Sequence, residues 1–115
     1  MTTPFVKYLL DTLSDLGGVR SRAMFGGHGI YHDGVMLGLV ADGVFYLKVD
    51  DGNRAAFEAA GSKPFTYRRQ GLTKDVAMSY WEVPAGVLES REALCQWARD
   101  AHAAAVRSKS KTGKR

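Results

Sequence analysis

The spacing of apolar residues over the first sixteen positions predicts an amphipathic helix. These residues recur three and four positions apart and form one stripe: Phe5, Leu9, Leu13 and Leu16. Thr3 suits the N-cap and Pro4 the first helical position, where a missing N–H removes no hydrogen bond. Gly17-Gly18 supplies a left-handed stop. We therefore expect the first helix to cover about Pro4 to Leu16.

The segment from Ser21 to Val49 changes to short apolar runs separated by glycine-containing turns. Asp33-Gly34 and Asp42-Gly43 are typical of two-residue β-hairpin turns. We expect a three-stranded meander with these runs: about Arg22 to Phe25, Gly29 to Tyr31 continuing into Val35 to Val40, and Val44 to Val49. Counting both turns makes the first two runs short or bulged, so three or four strands fit the segment.

A short helix and a second hairpin follow the meander. Asp50 or Asp51 can cap an alanine-rich helix whose large apolar residue is Phe57 and which Gly61 ends. Apolar and polar residues then alternate on both sides of Gln70-Gly71. This alternation predicts two strands joined by a longer loop, at about Phe65 to Arg69 and Val76 to Val83.

The last helix has the clearest periodicity of the chain. Ser90 can cap it. Its apolar residues follow a three-to-four spacing: Leu94, Trp97, Ala101 and Ala105. We expect it to fade after Val106. The order helix, three strands, helix, two strands, helix predicts one α+β domain over residues 1–106 with about five antiparallel strands, followed by a flexible basic tail over residues 107–115.

The positive charge of the chain is concentrated in that tail. The net charge is +4, and five of the sixteen basic residues lie after Val106, where no acidic residue occurs, so residues 1–106 carry −1. A duplex-binding domain would need a positive face. The tail alone fits weak, salt-sensitive and sequence-independent attraction to polyanions, which is the alternative function that we consider.

The cysteine content and the apolar runs indicate a cytoplasmic protein. Cys95 is the single cysteine, so neither an intrachain disulfide nor a cysteine-rich metal site can form. The longest apolar stretch, Val35 to Ala41, is far too short to cross a bilayer, and the N-terminus lacks a signal-peptide pattern. We therefore expect a reducing compartment and no membrane role.

Two motifs suggest ligand chemistry, and a structural interpretation is stronger for each. The glycine-rich stretch from Met24 to Gly29 lacks the Lys-Ser/Thr ending of a phosphate loop and no predicted helix follows it. His28, His32 and Asp33 could share a metal ion only if a distant contact brought in His102. We favour turn glycines and surface histidines, and we expect no metal and no cofactor.

Catalytic residues are also not predicted. Cys95 lies beside Leu94 in a helix, as expected for an inert, partly buried thiol. Asp50-Asp51 is explained by helix capping. The sequence offers no triad, and we expect no enzymatic activity.

The candidate partner surface lies on the second hairpin. Tyr80 and Trp81 are adjacent in a strand and cannot both face one core, and aromatic side chains dominate interface energetics. Arg68 and Arg69 beside Tyr67 resemble the basic and aromatic pairing used on nucleic acids. Solvated cations at a strand edge are the stronger explanation of these arginines.

Several segments, in order, resemble the TfoX/Sxy family of competence regulators in their N-terminal domain. They are Arg22 to Gly27, Gly38 to Gly43, Tyr46 to Asp50, Asn53-Arg54, Pro64 to Tyr67, and Met78 to Glu82. The resemblance covers about Phe5 to Val106 and implies a two-layer architecture similar to secretion chaperones. The family's regulators also have a C-terminal domain, so we expect a stand-alone N-terminal domain here.

The resemblance also implies a function. It suggests a non-enzymatic, regulatory protein-interaction domain linked to transcription and DNA-uptake competence, with a protein partner such as the transcription machinery. A homodimer is a variant of this expectation, because similar architectures pair through sheet or helix faces. The sequence identifies neither the partner nor the oligomeric state.

Overall fold

The chain folds into one sheet with helices against it. The computed structural model describes residues 4–24, 27–68 and 75–113. The strands are β1 (Val19–Met24), β2 (Gly27–His32), β3 (Val35–Ala41), β4 (Val44–Lys48), β5 (Pro64–Arg68) and β6 (Asp75–Glu82). The helices are α1 (Pro4–Thr12), α2 (Arg54–Ala59), α3 (Ala85–Leu88) and α4 (Arg91–Gly113), and a 3-10 turn, Leu13–Leu16, continues α1. The α+β prediction is confirmed.

The six strands form a single antiparallel sheet in the order β1-β2-β3-β4-β6-β5. The meander contains four strands, the larger of the two numbers that the sequence allowed. Both predicted Asp-Gly turns are present. Asp33, Gly34, Asp42 and Gly43 all have φ between 52° and 76°, as a type I′ turn requires at both of its central residues. These two turns fix the register of the meander.

A β-bulge in β3 determines which side chains face the helices. Ile30 of β2 pairs with Gly38, whereas Tyr31 pairs with Met36, so Leu37 is the extra residue. Leu37 and Gly38 are both buried, because the two bulged residues lie opposite Ile30 on the same face. The bulge therefore adds a large apolar side chain to the core without breaking the sheet.

The core lies between one face of the sheet and the helices. Its fully buried members come from α1, the 3-10 turn, three central strands, α2 and α4: Val6, Leu9, Leu13, Ile30, Leu37, Leu47, Phe57, Leu94, Ala98 and Ala101. Helix α4 packs on β3 and β4. Burial of this apolar surface is the main favourable term in folding.

Helix α2 is anchored by its phenylalanine. The ring of Phe57 is 1% exposed and contacts Trp97 of α4, with centroids 4.7 Å apart, and Trp81 of β6, at 6.3 Å. Both contacts are edge-to-face, which aromatic pairs prefer. One side chain therefore holds α2 to the sheet and to α4 together.

The predicted capping of α2 is wrong. The helix begins at Arg54 after Asn53, and the Asp50 carboxylate instead accepts the Gly52 N–H at 2.8 Å. Asn53 is buried; its amide accepts from the Asp50 N–H and donates to the Lys48 carbonyl. These bonds build the turn between β4 and α2, which satisfies backbone groups that a buried turn would otherwise leave unpaired.

Helix α4 is longer than the sequence indicates. The Ser90 hydroxyl caps it by accepting the Ala93 N–H, as predicted. The helix does not fade after Val106 but continues to Gly113. Arg107 donates two hydrogen bonds to Asp50, at 2.7 and 2.8 Å, and this bidentate geometry is the strong form of an ion pair. The division into a domain and a flexible tail stays a prediction.

Candidate functional site

The sheet face opposite the helices carries a row of side chains across five strands. The register pairs Arg22 with Gly29, Gly29 with Leu39, Leu39 with Tyr46, and Tyr46 with Glu82. Cross-strand partners project from the same face. Because the neighbouring pairs Val40–Phe45 and Gly38–Leu47 point into the core, this row points away from it.

Aromatic side chains dominate this face. We call it the aromatic face and define it by Tyr31, Leu39, Tyr46, Phe65 and Tyr80, all of which are half-buried. None of them belongs to the helix-side core cluster or packs against it. Aromatic rings that share a sheet face outside the core are suited to binding a partner, so this face is the candidate site.

Specific ring contacts organise the aromatic face. Tyr46 and Phe65 stack at a tilt with centroids 4.8 Å apart. The Lys48 ammonium lies 5.2 Å from the centroid of the Tyr80 ring, a cation–π distance. The same ammonium donates to the Ser79 hydroxyl at 2.6 Å. A lysine is thereby fixed among aromatic rings.

Partial burial changes the protonation of these groups. Burial lowers the pKa of the Lys48 ammonium, and the nearby Asp50 charge opposes that effect. Burial raises the pKa of Tyr80, with an added contribution from Tyr31. Burial also raises the pKa of Tyr46, and the carboxylates of Glu82 and Asp42 add to it. Each shift has the sign expected when water is partly excluded from a charged form.

The raised phenol pKa values predict a late alkaline titration. In the native protein, Tyr46 and Tyr80 should lose their protons above the ordinary value of about 10. Because the unfolded chain deprotonates first, their contribution to stability is complete below about pH 10 and is lost as the pH rises through the folded pKa. Ultraviolet titration of phenolate should show a late phase that Tyr46→Phe and Tyr80→Phe each reduce. A double variant with an unchanged late phase would contradict this assignment.

A groove at the β1 edge extends the face and adds positive charge. Arg20 pairs with Tyr31 across β1 and β2. Both residues, with Arg22 and Asp33, line an open groove of about 570 Å³. Arg20 and Arg22 are exposed. Among the described residues, arginines therefore border the aromatic face at one edge, and Lys48 lies across it.

The two predicted aromatic residues of the hairpin lie on opposite faces. Tyr80 lies on the aromatic face, whereas Trp81 is partly buried and packs against the helix-side core. Alternation along the strand requires this separation. Arg68 is the last residue of β5, and Arg69 lies outside the described residues. The role of all four in partner binding stays a prediction.

The histidines that meet in the structure are not the two that lie close together in the sequence. His32 lies beside His102 of α4, with ring centroids 4.7 Å apart, and His28 is four residues away along the strand. Cys95 is buried, and its Sγ lies 3.4 Å from the Thr12 carbonyl oxygen. Burial is the main cause of a raised pKa for this thiol, so it is a poor nucleophile.

Lys48, Ser79 and Tyr46 were not predicted as site residues. Lys48 and Ser79 are 31 positions apart, and no local pattern indicates that β6 inserts beside β4. A paired serine and lysine can form a nucleophile and its base. The groove described above lies beside Arg20 and Tyr31 rather than beside this pair, so the bond is best interpreted as holding Lys48 over Tyr80.

These features define a class of protein: a small α+β domain with helices on one face of an antiparallel sheet and a tyrosine-rich opposite face. The sequence model of the TfoX N-terminal domain family matches residues 11–105. The chain belongs to this family, as its sequence motifs predicted. The family is not known to be enzymatic.

A search of curated proteins finds no match to the chain. Among the described residues, none of the helices combines the length and the apolar character that a membrane span needs.

Proposed function

We propose that this domain is a non-enzymatic regulatory module that binds an acidic segment of a partner protein through its aromatic face. We further propose that it acts in transcriptional control of DNA-uptake competence, a role that its membership of the TfoX N-terminal domain family supports. The observation that carries the proposal is the arrangement of tyrosine and phenylalanine rings on a sheet face that the core does not use. Tyrosine supplies large contact area with little loss of conformational entropy.

Charge supports the choice of an acidic segment. Arg20, Arg22 and Lys48 border or cross the aromatic face. Glu82 is the exposed carboxylate of its central row, and Asp33 and Asp42 lie at its margins. Complementary charge increases the association rate and fixes orientation. Lys48 is partly desolvated already, which disfavours its charged form. A partner carboxylate placed near it would offset this desolvation penalty.

A display screen of random peptides tests this proposal directly. We expect the native chain to enrich peptides that combine acidic residues with large apolar ones, and Tyr80→Ala to reduce binding about tenfold or more, as truncation of a central interface residue does. Lys48→Glu should reverse the charge preference. The matched control is Tyr8→Ala, because Tyr8 is a 43% exposed tyrosine on α1, which packs on the helix side of the sheet rather than on the aromatic face.

The controls separate binding from stability. Thermal denaturation of each variant identifies any that are not folded. Equal loss of binding in Tyr8→Ala and Tyr80→Ala, or enrichment of basic peptides by the native chain, would contradict the aromatic face as the site. Crosslinked capture with mass spectrometry, using the same three variants, then identifies the natural partner and detects self-association.

Nucleic-acid binding through the C-terminal cations is the alternative. Its support is the run of basic residues after Val106, but Arg107 is already paired with Asp50. Random-sequence duplex DNA is therefore a second probe in the same experiment. Salt-dependent binding that Tyr80→Ala leaves intact would favour this alternative over the proposed protein partner.

A further inference from the structure

Three potential metal ligands meet where the first hairpin turn contacts α4. His32 ends β2, Asp33 opens the turn, and His102 lies on the helix. One ring nitrogen from each histidine and one Asp33 carboxylate oxygen lie within 4.8 Å of one another. His32 is mostly buried, with 17% of its side chain exposed, whereas Asp33 is 78% exposed. The cluster therefore has a mostly buried ligand in His32 and a ligand open to solvent in Asp33.

The hydrogen bond of His102 decides which of its ring nitrogens could bind a metal ion. Its Nε2 lies 3.0 Å from the His32 carbonyl oxygen. A carbonyl oxygen can only accept, so Nε2 carries the proton and Nδ1 of the neutral ring holds a lone pair. Metal-binding histidines typically donate their other ring N–H to a carbonyl or carboxylate in this way.

His32 has unused binding capacity. Its Nδ1 is buried and has no hydrogen-bond partner among the described residues. Its Nε2 lies 3.6 Å from the Asp33 Oδ2, too far for a normal hydrogen bond. Two ligands about 2.1 Å from one tetrahedral ion lie about 3.4 Å apart. The separation from His32 Nε2 to Asp33 is therefore close to that of two ligands sharing an ion, so Nε2 is the nitrogen that would bind it and Nδ1 would carry the proton.

We propose that His32, Asp33 and His102 bind a late first-row divalent cation, with Zn²⁺ as the reference ion. Two imidazoles and one carboxylate suit zinc and its neighbours better than magnesium or calcium, which prefer oxygen ligands. A separation of 4.8 Å must shorten by about 1.4 Å to reach the spacing of zinc ligands, so the side chains must move slightly when the ion binds. Water completes the coordination.

The ion would connect the β2–β3 turn to α4. Its test does not depend on the proposed partner binding, because two of the three ligands, His32 and His102, lie on the helix side of the sheet, whereas Asp33 also lines the groove at the β1 edge. Since the ligands come from residues far apart in sequence, an ion bound only by the folded state would stabilise that state. The bound ion would therefore stabilise the packing of the β2–β3 turn against α4.

Metal titration of the untagged, chelator-treated chain tests the site. We expect saturable 1:1 uptake of Zn²⁺ by calorimetry, a rise in the melting temperature, and intense visible absorption when Co²⁺ occupies the same tetrahedral site. The polyhistidine tag must be absent, because it would bind both ions.

Variants of the ligands decide the assignment. His102→Ala and Asp33→Asn should each weaken Zn²⁺ binding about tenfold or more, since even outer-shell partners contribute that much. His28→Ala is the matched control on the same strand and should bind normally. If His102→Ala does not fold, the exposed Asp33→Asn decides alone. Absence of saturable uptake, uptake unchanged in Asp33→Asn, or an equal loss in His28→Ala would overturn the proposal.

Discussion

Replacing Phe57 with alanine is expected to lower the free energy of unfolding by about 3–5 kcal/mol, the usual cost of removing a buried phenylalanine ring. The ring is 1% exposed and contacts both Trp81 and Trp97, so its loss leaves a cavity bounded by two large side chains that cannot easily close it. A domain of this size has a total stability of about 5–15 kcal/mol. The variant should therefore be close to unfolding at physiological temperature.

Urea denaturation followed by circular dichroism measures this effect. Val106→Ala is the matched control, because Val106 is an apolar residue of α4 that is 42% exposed, and its truncation should change stability by no more than about 0.5 kcal/mol. A loss below about 1 kcal/mol in Phe57→Ala would show that α2 is not anchored as described.

Gly38→Ala is the second substitution with a large expected effect. A Cβ at this position would lie 2.5 Å from the Tyr46 carbonyl oxygen and 2.9 Å from the Phe45 ring. The first of these neighbours is backbone in the paired strand and cannot move without disturbing the sheet. Overpacking of this kind typically costs about 1–3 kcal/mol and sometimes more, so we expect the melting temperature to fall markedly.

The chain offers a matched glycine for comparison. A Cβ at Gly86 in α3 would meet no atom within 4 Å, and alanine favours a helix over glycine by up to about 1 kcal/mol. Gly86→Ala should therefore leave stability unchanged or raise it slightly. If both alanine variants have the melting temperature of the native protein, β3 and β4 do not approach each other at Gly38 as closely as described.

Local signals in the sequence were enough to place most elements. The Asp-Gly turns, the Gly17-Gly18 stop and the Ser90 cap each have a conformational cause within a few residues, and each is present in the structure. The sequence left the first two runs of the meander short or bulged, and it could not place the bulge at Leu37, because the position of an extra residue depends on the partner strand. The predicted end of α4, after Val106, was also wrong. The polar composition of the following residues does not reveal that Arg107 forms an ion pair with Asp50.

The candidate sites depend on contacts between distant residues. His32 and His102 are 70 positions apart and Lys48 and Ser79 are 31 apart, so no spacing rule brings either pair together. The sequence did predict that Tyr80 and Trp81 cannot share a face. Which of the two faces the core depends on where β6 inserts in the sheet, and that is a tertiary property.

The clustering of both tryptophans around Phe57 has a practical consequence. Trp81 and Trp97 are the two tryptophans of the chain, and both belong to the helix side of the sheet, whereas the aromatic face carries tyrosine and phenylalanine. Tryptophan fluorescence should thus report on the docking of α2. A ligand bound to the aromatic face should perturb tyrosine emission and leave the tryptophan spectrum nearly unshifted, which gives the two faces separate optical signals in one unlabelled protein.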